Sequence, residues 1–138
     1  MALDYGRRRI GVAASDPTRT IASPCGTVSA SGRPEEPSDR LLELLAELEP
    51  TELVVGIPLQ MDGSEGEMAS EARRFGQALA ERTGLPVIEW DERLTTAQAR
   101  RELAAGARAR RRGRDKGLAD RVAAALILRG YLQRTSSG

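Results

Sequence analysis

The fold of this chain is decided by a stretch near its start, Leu3-Asp4-Tyr5-Gly6-Arg7-Arg8-Arg9-Ile10-Gly11-Val12-Ala13-Ala14-Ser15-Asp16. This stretch predicts a short apolar strand over residues 2–5, a turn of one glycine and three arginines, and a second apolar strand over residues 10–15. Gly6 suits such a turn because it can adopt a positive φ without a Cβ clash. Asp4 then ends a strand beside backbone N–H groups and guanidinium charge. There it serves either as an ordinary turn residue or as a ligand for phosphate or a metal ion.

The composition limits the possible chemistry. The 138 residues suit one domain, which we place at 1–134, with 135–138 as a frayed tail. Apolar residues make up 40% of the chain and charged residues 30%, and no apolar run reaches the length of a membrane span. The chain has one cysteine, Cys25, and no histidine, which excludes an internal disulfide and histidine-based catalysis and argues against zinc. A cytoplasmic protein is expected, and any catalysis must rely on carboxylates, hydroxyls, lysine or a hard metal ion.

The formal net charge of +1 conceals an uneven distribution. Residues 1–34 carry a net charge of +3, residues 35–92 a net charge of −11, and residues 93–121 a net charge of +7. This asymmetry predicts a basic edge that faces nucleic acid on an otherwise acidic body.

The first half of the chain predicts a third strand and a helix. The strand covers residues 21–31 and is interrupted by Pro24 and Gly26. Leucines then recur at helical spacing from Leu41 to Leu48, which predicts a helix of about three turns that ends near Pro50.

The second half alternates strands and helices. Apolar runs predict strands over residues 53–57 and 87–91. A helix is predicted between these two strands. Ser64 and Glu67 form a capping-box pattern at its start, and Gly84 ends it. A shorter helix is predicted from Thr95 to about Leu103, a loop over 106–117, and a last helix over 118–132.

This order predicts an α/β fold around a mixed five-stranded sheet, with a three-stranded antiparallel meander, two parallel strands, and helices on both faces. Right-handed crossovers place the fourth and fifth strands beyond the first, on the side away from the meander. The first strand is then central, and Asp4 comes near the carboxyl end of the fifth strand.

Acidic residues stand at three chain positions that this topology brings together. Asp4 ends the first strand, Asp91-Glu92 ends the fifth, and Asp120 opens the last helix. Clustered carboxylates repel unless a cation lies between them, and hard divalent ions prefer such ligands. Two such ions can activate water and hold the leaving oxygen of a phosphodiester. Each acid also has an ordinary alternative, since Asp120 suits a helix N-terminus and Glu92 could pair with Arg93 or Arg121.

Four segments in order resemble the motifs of the YqgF/RuvX family, whose members are RNase H-like nucleases related in fold to the RuvC Holliday-junction resolvases. The four are Leu3-Asp4-Tyr5-Gly6 with Arg9-Ile10-Gly11-Val12-Ala13 and Ser15-Asp16-Pro17; Val55-Gly56-Ile57-Pro58 with Asp62-Gly63-Ser64; Asp91-Glu92-Arg93-Leu94-Thr95-Thr96; and Asp120-Arg121-Val122-Ala123-Ala124-Ala125-Leu126-Ile127-Leu128 with Tyr131-Leu132. The resemblance spans nearly the whole chain.

The resemblance implies a metal-dependent nuclease that matures the 5′ end of pre-16S ribosomal RNA, with Mg²⁺ or Mn²⁺ as cofactor. It carries over Asp4, Glu92 and Asp120 as the catalytic and metal-binding set. Consecutive strand residues face opposite sides, so only one of Asp91 and Glu92 enters the site, and we favour Glu92. Asp115 also resembles an acid of the last motif, but only Asp120 lies at the expected distance before the alanine-rich helix.

Arginines and one lysine are the candidate substrate contacts. The family's usual Gly-Thr-Lys-Arg is Gly6-Arg7-Arg8-Arg9 here, which keeps the charge and loses a hydroxyl. A basic run precedes Asp120 and could hold a phosphate backbone without reading sequence, or be merely solvated. The predicted substrate-binding residues are Arg7, Arg8, Arg9, Arg93, Arg110, Arg111, Arg112 and Lys116. All four aromatic residues are predicted in or beside strands and helices, so recognition by backbone and shape is favoured over base stacking.

Alternative functions remain open at this point. The chain could be a non-catalytic RNA- or ribosome-binding factor, or a resolvase acting on branched DNA. A small-molecule phosphotransferase ranks last, because 138 residues cannot supply the second domain that would clamp a nucleotide. The sequence leaves open whether cleavage is endo- or exonucleolytic, which of the two metals is used, and the oligomeric state.

Overall fold

The computed structural model describes residues 1–94, 101 and 118–136. Within these residues, five strands form one sheet, flanked by three α-helices and a 3₁₀ turn. In chain order they are β1 (Ala2–Asp4), β2 (Arg9–Ser15), β3 (Ala22–Ser29), α1 (Asp39–Leu48), β4 (Leu53–Ile57), α2 (Glu67–Thr83), β5 (Val87–Asp91), the 3₁₀ turn (Glu92–Leu94) and α3 (Leu118–Ser136).

The sheet has the predicted topology. Its strand order is β3-β2-β1-β4-β5, with β1 antiparallel to β2, β2 antiparallel to β3, and β4 parallel to both β1 and β5. β1 is therefore central, and the carboxyl ends of β1, β4 and β5 lie at one edge of the sheet. We call it the carboxyl edge.

Alternation along the strands divides the core into two layers. On one face, Leu3, Val12 and Val55 pack against α1 and α2, whose buried side chains include Leu41 and Phe75. The other face is covered by α3. There the core is built largely from small residues and aliphatic chains: Ala2, Ala13, Val54, Ala124, Ala125, Ile127 and Leu128. Helices on both faces were predicted and are confirmed.

The small residues let α3 lie very close to the sheet. A Cβ atom on Gly130 would lie 2.8 Å from Cζ2 of Trp90, which is too short for any real contact. Tyr131 near the end of α3 donates from its hydroxyl to Glu52 Oε1 at 2.9 Å, just before β4 begins. Ile127, one turn earlier, lies against Gly56 near the end of β4. α3 therefore runs opposite to β4, and its first turn points toward the carboxyl edge.

Three local predictions were wrong in their details. Gly6 does not have a positive φ; its Cβ would lie 2.5 Å from the carbonyl oxygen of Arg9, so glycine is needed for close approach within the turn. Helix α2 begins two residues later than predicted, with Gly66 at its N-cap and no side-chain cap, and the Ser64 hydroxyl instead lies within hydrogen-bond distance of the Asp62 and Gln60 side chains. The last helix continues to Ser136, beyond the predicted end at residue 132, so part of the predicted tail is helical.

Other predicted elements either agree with the structure or fall on residues that it does not describe. β4 and β5 have the predicted bounds, and Gly84 ends α2 in the left-handed conformation with φ of 73°. The predicted helix from Thr95 to Leu103 and the loop over 106–117 lie outside the described residues, apart from Arg101. In the described part of the chain, no helix combines the length and the apolar character that crossing a membrane requires.

Candidate active site

Asp4 stands at the carboxyl edge on the face that α3 covers. It is the last residue of β1, lies opposite Gly11 of β2, and is half-buried. Its side chain shares the face of Ala2, two residues earlier, which packs in the α3 layer. β1 and β4 are in parallel register with Leu3 beside Val55, so Asp4 comes beside Gly56 one residue further along.

Glu92 reaches the same place from β5. It follows Asp91 as the first residue of the 3₁₀ turn and is half-buried. A Cβ built on Gly56 would lie 2.5 Å from Glu92 Oε1 and 2.5 Å from Ile127 Cδ1. The carboxylate of Glu92 therefore lies directly over the backbone of β4, between the sheet and α3. Since adjacent strands are about 4.8 Å apart, Asp4 and Glu92 flank Gly56 on one face.

Asp91 has a different environment. Its carboxylate accepts hydrogen bonds from the Arg93 side chain, at 3.1 Å from Nε and 2.8 Å from Nη2, and from the Arg93 backbone N–H at 2.9 Å. The side-chain bonds to Arg93 hold the pKa of Asp91 below its usual range. The two consecutive acids are thus separated: Asp91 forms an ion pair with Arg93, and Glu92 lies over Gly56.

Arg93 also connects this turn to the loop that follows β4. Its Nη1 donates to the Met61 carbonyl at 3.4 Å, and a Cβ on Gly63 would lie 3.5 Å from the same nitrogen. Gly63 has φ of 89°, a conformation that favours glycine, and its N–H donates to the Gln60 carbonyl at 2.8 Å. Arg93, predicted to bind substrate, is therefore already in contact with protein groups.

Asp120 is the third residue of α3, and Ile127 follows it seven positions later, close to two helical turns along the helix. The first turn of α3 points toward the edge that carries Asp4 and Glu92, which places the backbone of Asp120 on that side of the fold. Its side chain lies outside the described part of the structure. Among side chains that are described, no group of three or more acids or thiols is arranged to hold a metal ion.

The arginine turn between β1 and β2 serves partly as structure. Arg7 pairs with the buried Glu71 of α2, with Nη2 at 2.6 Å and Nε at 3.0 Å from Oε2, and its Nη2 also lies 3.4 Å from Glu67. The Tyr5 hydroxyl donates to Glu71 Oε1 at 3.2 Å. Hydrogen bonds from Arg7 lower the pKa of Glu71. Burial of the Tyr5 ring and the negative charge of the nearby Glu71 raise the pKa of Tyr5 to about 12.

The other predicted substrate contacts differ in position. The side chains of Arg8 and Arg9 are exposed beside the carboxyl edge, and the Arg8 carbonyl accepts from the Ala30 N–H at 2.8 Å. Arg110, Arg111, Arg112 and Lys116 lie outside the described residues. Tyr5, Phe75 and Trp90 are buried and Tyr131 is half-buried, so none of the four aromatic rings is an exposed stacking platform.

The end of the first motif lies away from the site. Asp16 follows β2 at the opposite edge of the sheet, where its carboxylate accepts from the N–H groups of Thr20 and Ile21 at 2.8 Å and from the Thr18 hydroxyl. These bonds lower the pKa of Asp16 to about 2. Asp16 thus organises a turn, distant from Asp4.

Gly56 is the residue that sequence reasoning missed. The sequence places it in an apolar strand and in the second motif but assigns it no role, although a glycine inside a buried strand is itself a signal that another group approaches the backbone closely. The structure identifies that group as the carboxylate of Glu92 together with Ile127.

Comparisons with known proteins agree with this architecture. A family model described as "RuvX: Holliday junction resolvase" matches residues 1–134. A protein of Protochlamydia amoebophila is 40% identical over 96% of this chain and 91% of its own, and one of Lachnospira eligens is 41% identical over 96% and 95%. A third, from Rhodopseudomonas palustris, is 43% identical over 99% and 84%. All three carry the name "Putative pre-16S rRNA nuclease".

Solved structures share the fold. A Thermus thermophilus RuvC structure matches with a TM-score of 0.60 and 22% identity, over 96% of this chain and 94% of that one. The same enzyme in complex with a Holliday junction substrate matches equally well, over 97% of this chain. The fold is therefore the RNase H-like fold of RuvC, as the sequence motifs implied.

Proposed function

The chain belongs to the RuvX family, and from this membership we propose that it is a nuclease that hydrolyses phosphodiester bonds in structured nucleic acid with the help of a divalent metal ion. The proposed biological reaction is maturation of the 5′ end of pre-16S ribosomal RNA in the cytoplasm. The proposed nuclease domain is residues 1–134. The observation that carries the catalytic part is the convergence of Asp4, at the end of β1, and Glu92, directly after β5, on one face of the carboxyl edge.

The residues present suit a hard divalent cation. Asp4 and Glu92 offer only carboxylate oxygens, the ligands preferred by Mg²⁺ and Mn²⁺. The missing side chain of Gly56 leaves room for the Glu92 carboxylate against the sheet. We propose Asp120, in the first turn of α3, as the third ligand. When bound, the ion would lower the pKa of a coordinated water and offset the charge of the phosphate.

The chain's own residues then have separable tasks. Asp4 and Glu92 present negative oxygens at fixed positions, because one ends a central strand and the other is packed between β4 and α3. The Asp91–Arg93 ion pair fixes the turn that carries Glu92. Arg8 and Arg9, exposed beside this edge, are proposed to contact substrate phosphates together with Arg110, Arg111, Arg112 and Lys116.

RNA is the proposed substrate because the relatives that share about 40% of their residues with this chain are named for pre-16S rRNA. The buried and half-buried aromatic rings offer no exposed surface for base stacking, which favours recognition of a folded nucleic acid, RNA or branched DNA alike, by its backbone and shape. Branched DNA is the second candidate, supported by the description of the family as Holliday junction resolvases.

A cleavage assay with matched substrates tests the proposal. Purified protein is incubated with a precursor RNA that contains the 5′ end of 16S rRNA and with a four-way DNA junction, each in Mg²⁺, Mn²⁺ or chelator. We expect metal-dependent cleavage of the RNA, and no cleavage by Asp4→Asn. Cleavage of the junction alone would favour the second candidate. Binding of RNA without cleavage of either substrate would identify the chain as a non-catalytic binding factor.

A further inference from the structure

Gly56 lies at a position where glycine is unfavourable by ordinary rules. It is a buried residue inside β4, where glycine weakens a strand because it packs no side chain and gains chain entropy on unfolding. Its φ is outside the left-handed region, so the backbone conformation does not require glycine. Another cause must account for the missing side chain.

The surrounding atoms identify that cause. A Cβ at Gly56 would lie 2.5 Å from Glu92 Oε1, 3.1 Å from Glu92 Cδ and 2.5 Å from Ile127 Cδ1. Contacts below 3.0 Å are essentially never made by real Cβ atoms. Both groups are the far ends of flexible side chains, so an added methyl group would displace them while the backbone stays in place. At Gly6, by contrast, the obstructing atom is a backbone oxygen.

We infer that Gly56 is a positioning residue of the nuclease site: its missing Cβ forms a seat, bounded by β4 and Ile127, that holds the Glu92 carboxylate in the geometry needed to bind metal. The inference rests on the proposed function. Without the seat, the carboxylate is displaced from its position over β4, next to the end of β1 that carries Asp4. The protein still folds, with some loss of thermal stability from the clash, and it loses metal affinity and catalysis.

The experiment compares Gly56→Ala with Gly76→Ala. Gly76 lies in α2, on the opposite face of β4, and its Cβ would make only ordinary contacts with Val87 at 3.4 Å and Val55 at 3.7 Å. We expect Gly56→Ala to remain folded and to lose about 10- to 100-fold in Mn²⁺ affinity and in kcat, with KM for RNA little changed, as for loss of other groups that orient metal ligands. Gly76→Ala should match the wild type in all three.

A second pair of variants separates the carboxylate from simple packing. Ile127→Val removes Cδ1, so Gly56→Ala/Ile127→Val relieves the apolar half of the clash and should regain thermal stability without regaining Mn²⁺ affinity. Glu92→Ala removes the other half, so Gly56→Ala should destabilise the Glu92→Ala protein less than it destabilises the wild type. This comparison needs neither metal nor substrate, and it tests the seat even if the wild type cleaves nothing.

Three results would overturn the inference. The first is Mn²⁺ affinity and kcat of Gly56→Ala within about twofold of the wild type, well short of the loss typical for such groups. The second is recovery of metal affinity together with stability in the Ile127→Val background, which would make Gly56 a packing residue. The third is an equal stability loss with and without the Glu92 carboxylate. Failure of Gly56→Ala to fold in every background also counts against the inference, because β4 would then exclude a side chain for its own reasons.

Discussion

Arg93 holds the carboxylate of Asp91 with both its side chain and its backbone N–H, across the intervening Glu92. Two neighbouring acids thereby acquire opposite roles. Asp91 is bound to a cation of its own chain and stays ionised, whereas Glu92 lies over Gly56 beside the end of β1. The same guanidinium also donates to the Met61 carbonyl in the loop after β4. Arg93 therefore joins the turn that carries Glu92 to the loop of the second motif.

The ion pair with Asp91 predicts that Arg93 orients the turn that carries Glu92 and does not contact substrate phosphate. If Arg93 orients the turn, Arg93→Ala and Asp91→Ala should each lower kcat by about tenfold or more and leave the salt dependence of RNA binding unchanged. Arg8→Ala, which removes an exposed arginine beside the same edge, is the control and should reduce the slope of log affinity against log salt. A reduced slope in Arg93→Ala, with kcat unchanged, would instead make Arg93 a phosphate contact.

Substitution of the three proposed catalytic acids should lower activity far more than substitution of the residues that position them. Asp4→Asn, Glu92→Gln and Asp120→Asn should each lower cleavage by more than the roughly 10- to 100-fold typical of supporting residues, because each would remove the charge of a proposed metal ligand. Circular dichroism and melting curves establish that the variants fold. A variant that cleaves at the wild-type rate does not belong to the catalytic set.

Metal binding should be visible as thermal stabilisation. Repulsion between neighbouring carboxylates is relieved when a divalent ion binds the native state alone, and an ion at about ten times its Kd adds roughly 1.4 kcal/mol, or a few degrees in Tm. We expect the shift in wild type with Mn²⁺ or Mg²⁺ and little shift in Asp4→Asn. The titration is repeated with an uncleavable RNA, since Mg²⁺ often binds together with substrate phosphates. No shift under either condition would argue against a metal site.

The basic run is tested through the salt dependence of binding. Replacing Arg110, Arg111 and Arg112 by alanine should reduce the slope of log affinity against log salt by about two to three units, because fewer counterions are released. Melting curves serve as the control for folding. An unchanged slope would show that these arginines are solvated and do not contact the phosphate backbone.

Glu71 should make stability depend on pH. Hydrogen bonds from Arg7 lower its pKa in the folded chain, so its contribution is fully present above the usual pKa of glutamate and is lost as pH falls through the lower, folded value. Glu71→Gln should therefore lower Tm at neutral pH by roughly 5 °C and flatten the loss of stability toward acid. Glu67→Gln is the matched control, because Glu67 is exposed and pairs with the same arginine at 3.4 Å. Parallel pH curves for wild type and Glu71→Gln would refute this assignment.

Local signals in the sequence were enough to define most elements and their order. β4 is a continuous apolar run stopped by Pro58, and Gly84 provides the left-handed residue that ends α2. Short connections and right-handed crossovers then leave β1 in the centre of the sheet. That topology brings the ends of β1 and β5 to one edge, so the placement of Asp4 and Glu92 followed from the sequence.

Packing between distant segments decided the rest. Arg7 and Glu71 are sixty-four residues apart, and no local pattern reveals that a turn arginine pairs with a buried helix carboxylate. Ser64 has the spacing of a helix cap, yet its hydroxyl bonds within the preceding loop. Gly56 looks like a weak strand residue until β5 and α3 place Glu92 and Ile127 over it. Sequence patterns report the preferences of one segment, whereas close approach between β4, β5 and α3 exists only once all three are packed.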